Sequence, residues 1–543
     1  MSKILDEKEA LVTKSPEGVL ALTKAGRIAI KPWVTDLDSN VFAFTHESDS
    51  LAVAAGMARL SRNSNQLLTI LADEFINMGS KDSDLLHRVV TEYGDDSVMQ
   101  LYPMQMVFEG ISNIATKEVE WGRLAAYLEQ STRYLRFDIK DAAGHYGYYT
   151  PNEFDSKTHA LYETALDKIF DIYSDLYKKV YAHLVSISKE PETARTARWR
   201  QAVHAQACDS IRSILPASTR ATVGVVGSAQ AFHNMIMTML AHPLPEMNEL
   251  GRKTLEAARG AAPVFFERTD NPERGGLITA QKVTSRVESR ALAGELMPDT
   301  ETNPRTGAYA EIVGVNGSED DLVAKILVDS SNKSYKYVLK VVADLTDKQK
   351  QKVIETYVGE RFNRRVKPGR AFELVDYIFE GQIDYGGWRD VQRGRMVDGL
   401  KWQDLRNELG HVRPDIIDTA GLTDLYEQAF TISAQLHDEL IKRGYEDQAQ
   451  YATLFGHIMR FSMKSNARSL VHTIELRTTP QGHPAYRKFF QDLYHEIAKI
   501  HPNIAKAMKF VSKDEDMDLA RLGAERAMEA KEKAAAEKLA TKK

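Results

Sequence analysis

Cysteine is nearly absent from this chain. Cys208 is the single one in 543 residues, which excludes an intramolecular disulfide and any cysteine-rich zinc site. No apolar run is long enough to span a bilayer, so no membrane partner is expected. There is no excess of basic charge: 71 Lys and Arg stand against 76 Asp and Glu, a net −5. A global field that would draw nucleic acid is therefore missing. The start, MSKILDEKEALV, is charged and has no signal-peptide core, so a cytoplasmic protein is expected. Histidines such as His472 and His483 are isolated in sequence, so no metal site is expected; His483 is read as ordering a loop. What remains is a soluble globular composition, 43% hydrophobic and 27% charged, in a chain long enough for two or more domains.

The pattern along the chain predicts alternating helices and strands. Short strands are expected around Gly26–Val34, helices over 48–76, and a strand over 103–110, PMQMVFEG. A helix is expected from Ser112 through Leu128, leading into EQSTRY. The spacing of Leu161, Ala165, Ile169, Ile172, Leu176 and Val180 predicts a long helix over 154–187. Another is expected around 193–215, and Gly224 and Gly227 are read as opening a further one, stopped by HPLP. Residues 269–322, with TDNPERGG, MPDTETNPRTG and VNGSEDD, read as loop and linker. The expected organisation is 1–268, a 269–322 linker, 323–512, and a charged helical or disordered tail over 513–543.

One stretch organises the rest: residues 460–487, RFSMKSNARSLVHTIELRTTPQGHPAYR. A helix is predicted from Ser465 to Arg477, stopped by Thr478, Thr479 and Pro480. Asn466, Leu470, Thr473 and Arg477 fall on one face, and Arg468, His472 and Glu475 on a second. From the residues alone, the second face reads as a solvated charge cluster and Arg477 as a partner of the helix dipole.

The two halves of the chain echo each other. Phe108-Glu109-Gly110 is followed by Gly122-Arg123, and Phe379-Glu380-Gly381 by Gly394-Arg395, with one extra residue between. SAQAF at 228–232 matches NARSL at 466–470, and Arg212 and Gln450 each precede these by sixteen residues. The order of these echoes predicts a duplicated fold.

At these residues the chain resembles the flavin-dependent thymidylate synthases, marked by R-H-R-x-x-S-x-N-x-x-S-x-R-Y and by a later N-A-R-S-L helix followed by L-R. Residues 466–477 are similar to the later helix, and WGRLAAYLEQSTRY keeps Arg123, Ser131, Arg133 and Tyr134 of the first pattern. Residues 393–405 keep only Arg393-Gly394-Arg395, and SIRSILPAST places Arg212 where the family has its arginine before Leu-Pro. The departures are specific. Gly122 and Gly394 replace the histidine, Ala126 and Asp398 the first serine, Leu128 and Leu400 the asparagine. Met239 stands for Arg477 in the first half, and Gln403 and Leu405 for Ser131 and Arg133 in the second.

The resemblance implies an α+β fold in two tandem copies, each a mixed sheet with long helices. It also implies an active site shared between neighbouring units, and the losses are complementary. The first half keeps a substrate set: Glu129, Gln130, Ser131, Thr132, Arg133 and Arg212. The second keeps Arg393, which would serve both nucleotide and cofactor, the cofactor residues Arg395, Asn466 and Arg468, and the catalytic Arg477. Ser97 is a further cofactor candidate, in a turn after Asp95 and Asp96. The implied reaction is reductive methylation of dUMP to dTMP, with FAD as cofactor and methylenetetrahydrofolate and NADPH as cosubstrates. One composite site is expected to survive, the reciprocal one (Trp121 and Met239 facing Gln403 and Gln450) to be dead. A homodimer rebuilding a pseudo-tetramer is expected. Cys208, four residues before Arg212, reads as a buried apolar residue. Two other readings remain open: a non-catalytic nucleotide- or flavin-binding descendant acting as sensor or scaffold, and a flavoenzyme of altered nucleotide substrate.

Overall fold

The computed structural model describes residues 10–60, 62–76, 98–297, 305–394 and 396–513. In chain order its early elements are strands β1 (Val12–Lys14) and β2 (Leu20–Leu22) and helices α1 (Lys24–Ile30), α2 (Ser50–Arg59) and α3 (Leu67–Ile70). Then come β3 (Pro103–Ser112), α4 (Asn113–Val119), β4 (Ala125–Glu129), α5 (Ser156–Ile187), α6 (Ala197–Ile211) and β5 (Arg220–Ser228). Helices α7 (Ala229–Leu240), α8 (Pro245–Ala261) and α9 (Gly275–Leu296) follow. The second half holds β6 (Tyr309–Asn316), α10 (Glu319–Asp329), α11 (Tyr335–Ala343), α12 (Asp347–Val358), β7 (Asp376–Asp384), α13 (Tyr385–Gln392) and β8 (Asp398–Trp402). It closes with α14 (Thr423–Lys442), β9 (Ile458–Asn466), α15 (Ala467–Arg477), α16 (Pro484–Ile500) and α17 (Pro502–Ala507).

Two compact units result, and they cut across the sequence halves. The first holds Met1–Glu109, Leu124–Glu129 and Thr222–Thr300; the second holds Gly110–Arg123, Gln130–Ala221 and Glu301–Lys543. In the first, the described core gathers Ile30, Ala55, Ile70, Leu71 and Phe75. Its sheet has the order β3-β5-β4, with β4 antiparallel to β5 from Ala125↔Gly227 to Glu129↔Val223. In the second, the sheet has the order β6-β7-β9-β8, with β7 and β9 antiparallel from Asp376↔Asn466 to Asp384↔Ile458.

The long helix of the second unit shows how the sequence pattern becomes packing. Asp155 caps α5 by accepting from the backbone N–H groups of Lys157 and Thr158. Tyr162, Leu166, Ile169, Phe170, Tyr173, Leu176, Val180 and Leu184 recur at helical spacing and are buried, and α5 packs against α6 and α14. Both long helices occupy the same place in their half, between β4 and β5 or between β8 and β9.

Several expectations need correction. Residues 24–30 form helix α1, not strand, because the Thr23 hydroxyl caps it and Pro32 follows it. The predicted helix over 112–128 stops at Val119; the chain turns through Gly122 and then pairs as β4. Gly224 and Gly227 lie inside β5, so α7 opens only at Ala229. The 269–322 stretch contains α9, a 22-residue helix. Its Gly275-Gly276 pair sits at the helix start, so this turn signal punctuates a helix. The key helix starts at Ala467, because Ser465 and Asn466 are held in β9 by pairing with β7. Asp95, Asp96, Ser97 and Arg395, and the tail from residue 514, lie outside the described residues.

Candidate functional site

The site grows from α13 in the second unit. All eight of its residues, Tyr385 to Gln392, are buried, although three of them are Arg389, Asp390 and Gln392. Buried polar groups need partners, and these reach into other segments. Arg389 Nη1 donates to Thr132 Oγ1 at 3.1 Å, and its guanidinium lies 4.8 Å from the Phe455 ring centroid. Gln392 Nε2 donates to the Lys117 carbonyl at 2.7 Å. Asp390 Oδ1 accepts from Arg477 Nη1 at 3.0 Å, and Arg393 Nη1 lies 3.7 Å from the same oxygen.

A second acid, at the end of α6, gathers the other arginines. Arg133 forms a two-pronged pair with Asp209, Nε to Oδ1 at 2.8 Å and Nη2 to Oδ2 at 2.6 Å. Arg212, 3% exposed, places Nε 3.5 Å from Asp209 Oδ1 and donates from Nη2 to the Gly386 carbonyl at 3.3 Å. Tyr486 joins the two groups. Its hydroxyl accepts from Arg133 Nη1 at 3.4 Å, and its ring centroid lies 5.5 Å from the Arg477 guanidinium carbon. Arg133 and Arg212 from the first half thus share one neighbourhood with Arg477 and Arg393 from the second.

The electrostatics follow from this crowding. Burial alone would raise the Asp209 carboxyl, but Arg133, His483 and Arg212 outweigh it and hold it well below the usual range. Asp390 is likewise held down against its burial, chiefly by Arg477 and Arg212. Burial pulls the Arg212 guanidinium down, against the attraction of Asp209. His483 is pushed down to about 3 by burial, with Arg212 adding to the effect, so it is neutral near pH 7. Its Nδ1 accepts from Ala485 N at 3.3 Å and caps α16, so His483 does order the chain after the key helix.

The remaining expected residues separate. The Ser131 hydroxyl accepts from the Arg133 backbone N–H at 3.2 Å, at the turn that presents Arg133. Gln130 is exposed, and Glu129 is the buried end of β4 in the first unit. Asn466 is not a residue of the helix face: it is the N-cap of α15, its Oδ1 accepting from Ser469 N at 2.9 Å. Arg468 donates to the Pro368 carbonyl at 2.9 Å and lies 3.3 Å from Glu373. Glu475 belongs to no solvated cluster. Its side chain is 0% exposed, paired with Arg361 at 2.7 and 2.6 Å. Cys208 is buried, as its composition suggested. Trp121 packs edge-on against Trp402 at 5.1 Å, with Lys401 over both rings. The Gln450 side chain accepts from Leu405 N.

The acids Asp209, Asp390 and Asp384, with Arg389 and Tyr486, were not singled out from the sequence. A signal was present. Asp209-Ser-Ile-Arg212 and Asp390-Val-Gln-Arg393 repeat one Asp-x-x-Arg spacing, which puts acid and arginine on one helical face. Among the described residues no group of His, Cys, Asp and Glu could hold a metal, and no helix is long and apolar enough to cross a membrane.

The family model described as thymidylate synthase complementing protein matches residues 41–264 and again 316–503. The chain belongs to that family. The double match makes it a tandem duplicate of the thymidylate synthase complementing protein fold, with the α+β character seen above. Full-length relatives include a UPF0159 protein of Chlamydia pneumoniae, 28% identical over 512 residues, covering 91% of this chain and 95% of that one. Another, from Thermoplasma acidophilum, is 27% identical over 499 residues, covering 86% and 97%. A flavin-dependent thymidylate synthase of a Mycobacterium species is 27% identical over 180 residues, 33% of this chain and 67% of that one. The crystal structure of a UMP/dUMP methylase, PolB from Streptomyces cacaoi bound with 5-Br dUMP, aligns at 14% identity and a TM-score of 0.31, covering 38% of this chain and 96% of that one.

Proposed function

We propose that this family member binds deoxyuridylate at one composite site in its second compact unit and methylates it by flavin-dependent thymidylate synthase chemistry. One observation carries the reading: guanidiniums kept by different halves of the chain meet around Asp209, Asp390 and Tyr486. Arginine is the residue for a phosphate monoester, because its planar fork matches two phosphate oxygens and stays charged. Arg133 and Arg212 take the phosphate in this reading, with Ser131 beside them and Gln130 and Thr132 shaping the loop. Arg477 takes the N3–C4 edge of the uracil, where a fixed positive group stabilises the ring anion and raises the nucleophilicity of C5. Asp390 fixes the direction of Arg477 by accepting its Nη1–H.

FAD is the cofactor proposed. The fit rests on the chemistry of the donors present: Arg393 keeps its side chain 47% exposed and Arg468 33%, both suited to a diphosphate. Arg395 and Asn466 complete the proposed set. When bound, reduced flavin supplies the hydride that converts the methylene carried by methylenetetrahydrofolate into the methyl group, with NADPH as the source of reducing equivalents. The chain's own part is to hold the phosphate, orient the uracil and polarise it. A homodimer that gathers four repeats is proposed with it, in the cytoplasm, and a solution mass of one chain would count against the dimer.

A second reading has an observation of its own. Asn466 is spent on capping α15, and Arg468 is tied to Pro368 and Glu373, so two of the expected flavin ligands serve the fold. A nucleotide-binding descendant without flavin follows from that. Tritium release from C5-labelled deoxyuridylate, with FAD, NADPH and methylenetetrahydrofolate, separates the two. Release supports methylation; tight nucleotide binding without release leaves the second reading.

A further inference from the structure

Asp384 stands at the foot of the site, and neither the phosphate nor the uracil contacts proposed above use it. It is the last residue of β7 and the N-cap of α13, 2% exposed, its Oδ2 accepting from Gly387 N at 2.8 Å. Its other oxygen, Oδ1, has no hydrogen-bond partner. Arg212 lands on the same helical turn, through Nη2 to the Gly386 carbonyl at 3.3 Å, and its Nε also has no hydrogen-bond partner. A buried carboxylate oxygen without a hydrogen bond thus stands in the turn that Arg212 reaches, and Arg212 Nε meets only Asp209 Oδ1, at 3.5 Å. In the first half the counterpart cap is Ser112, a neutral hydroxyl accepting from Ala115 N at 3.0 Å. The acid occurs only in the copy that faces Arg212.

We propose that Asp384 is a positioning residue for Arg212, and that binding of a dianionic phosphate monoester is coupled to uptake of one proton by its carboxyl. The inference rests on the nucleotide reading above. Without ligand, Asp209 lies 3.5 Å from Arg212 Nε, and the Asp384 carboxylate attracts the same guanidinium at longer range from the start of α13. An incoming phosphate takes the Arg212 Nε–H and adds negative charge beside Asp384. The carboxylate then accepts a proton from solvent, becomes a neutral acid, and keeps its bond to Gly387 N. The O–H bond made with the solvent proton is the only covalent change. Burial already pushes this carboxyl up to about 6, so a nearby dianion carries it through neutrality. The charged and titratable groups that act on it are Arg212, Asp390 on α13 and Tyr426 on α14, with Asp209, Arg133 and His483 acting on Arg212 in turn. His483 is the other group able to take the proton, since Arg212 and Arg133 hold it down and a phosphate would offset them.

The test is calorimetric titration of the full chain with deoxyuridylate at pH 7.5 in two buffers of different ionisation enthalpy. Uptake close to one proton per nucleotide is expected, with affinity weakening by up to about tenfold per pH unit above the free carboxyl's range. Asp384→Asn keeps a cap acceptor and should remove the uptake and flatten the pH profile. Uptake that persists in Asp384→Asn but disappears in His483→Gln overturns the assignment, as does a wild-type chain that binds with no uptake. A chain that binds no deoxyuridylate at millimolar concentration rejects the nucleotide reading itself, and this proposal with it.

Discussion

Pro216 pairs with Leu454 across an antiparallel bridge, and each is the other's counterpart in the duplicated sequence. The step from 216 to 454 is the same 238 residues that separates Ser228 from Asn466 and Arg212 from Gln450. Around the bridge, Ala217 N donates to Thr453 O at 2.7 Å, Phe455 N to Leu215 O at 2.8 Å, and Gly456 N to Ser213 O at 2.6 Å. A local two-fold axis therefore passes through the second unit. The backbone around it is symmetric and the side chains are not: Arg212 lies on one side, Gln450 on the other.

That asymmetry predicts unequal mutational effects. Arg477→Ala should abolish tritium release while leaving the far-ultraviolet circular dichroism unchanged. Met239→Leu, at the counterpart position, should leave release within about twofold, because a volume-conserving apolar swap in a core costs under about 1.5 kcal/mol. Equal losses of release in the two variants, both folded, would remove the asymmetry.

Arg133 is predicted to matter for folding as well as for binding. Arg133→Ala strips Asp209 of its two-pronged partner and leaves Arg212 Nε at 3.5 Å. Breaking a buried pair from one side typically costs about 3–5 kcal/mol. Urea denaturation should show a loss of that order, and a variant as stable as the wild type would contradict the pair.

Glu475→Gln separates fold from site on the key helix. Glu475 holds Arg361 deep in the second unit, and Arg361 also donates to the Ala507 carbonyl at 2.6 Å. The substitution should lower stability by about 3–5 kcal/mol. Deoxyuridylate affinity, measured below the melting temperature, should change less than about threefold.

Acid should destabilise the chain below about pH 6.5. Burial pushes His457 down to about 3, and His483 is pushed to the same value. Both bind protons more readily unfolded, near pH 6.5, so their contribution is present above that pH and lost as pH falls toward 3. Asp384 works the other way: its carboxyl, raised to about 6, gains stability as pH falls from 6 to its unfolded value. Two histidines outweigh one carboxyl, so the melting temperature should drop steadily from pH 7 to pH 5. A flat profile would contradict the buried, neutral histidines.

How much of this was legible in sequence depends on the interaction involved. The long helix α5 was readable because its apolar spacing is local and its ends are punctuated. The strand β4 was not, since Ala125–Glu129 has a helix-compatible sequence and becomes a strand only by pairing with residues about a hundred positions away. The same holds at the site. Arg133, Arg212 and Arg477 could be picked out one at a time by resemblance. Asp209 and Asp390, which hold them, do not stand out in sequence, because an acid three residues before an arginine reads as an ordinary surface pair until burial is known. The roles of Asn466 and Glu475 are illegible for the converse reason: capping and a buried ion pair are facts that a helical wheel cannot display.

The most direct measurement is the binding stoichiometry of deoxyuridylate on the full chain, with Arg212→Lys beside the wild type. One nucleotide per chain is predicted, with Arg212→Lys weakening it about tenfold or more through loss of a charged, directional hydrogen bond worth about 1.5–3 kcal/mol. Two nucleotides per chain, or one whose affinity is indifferent to Arg212, would contradict a single composite site.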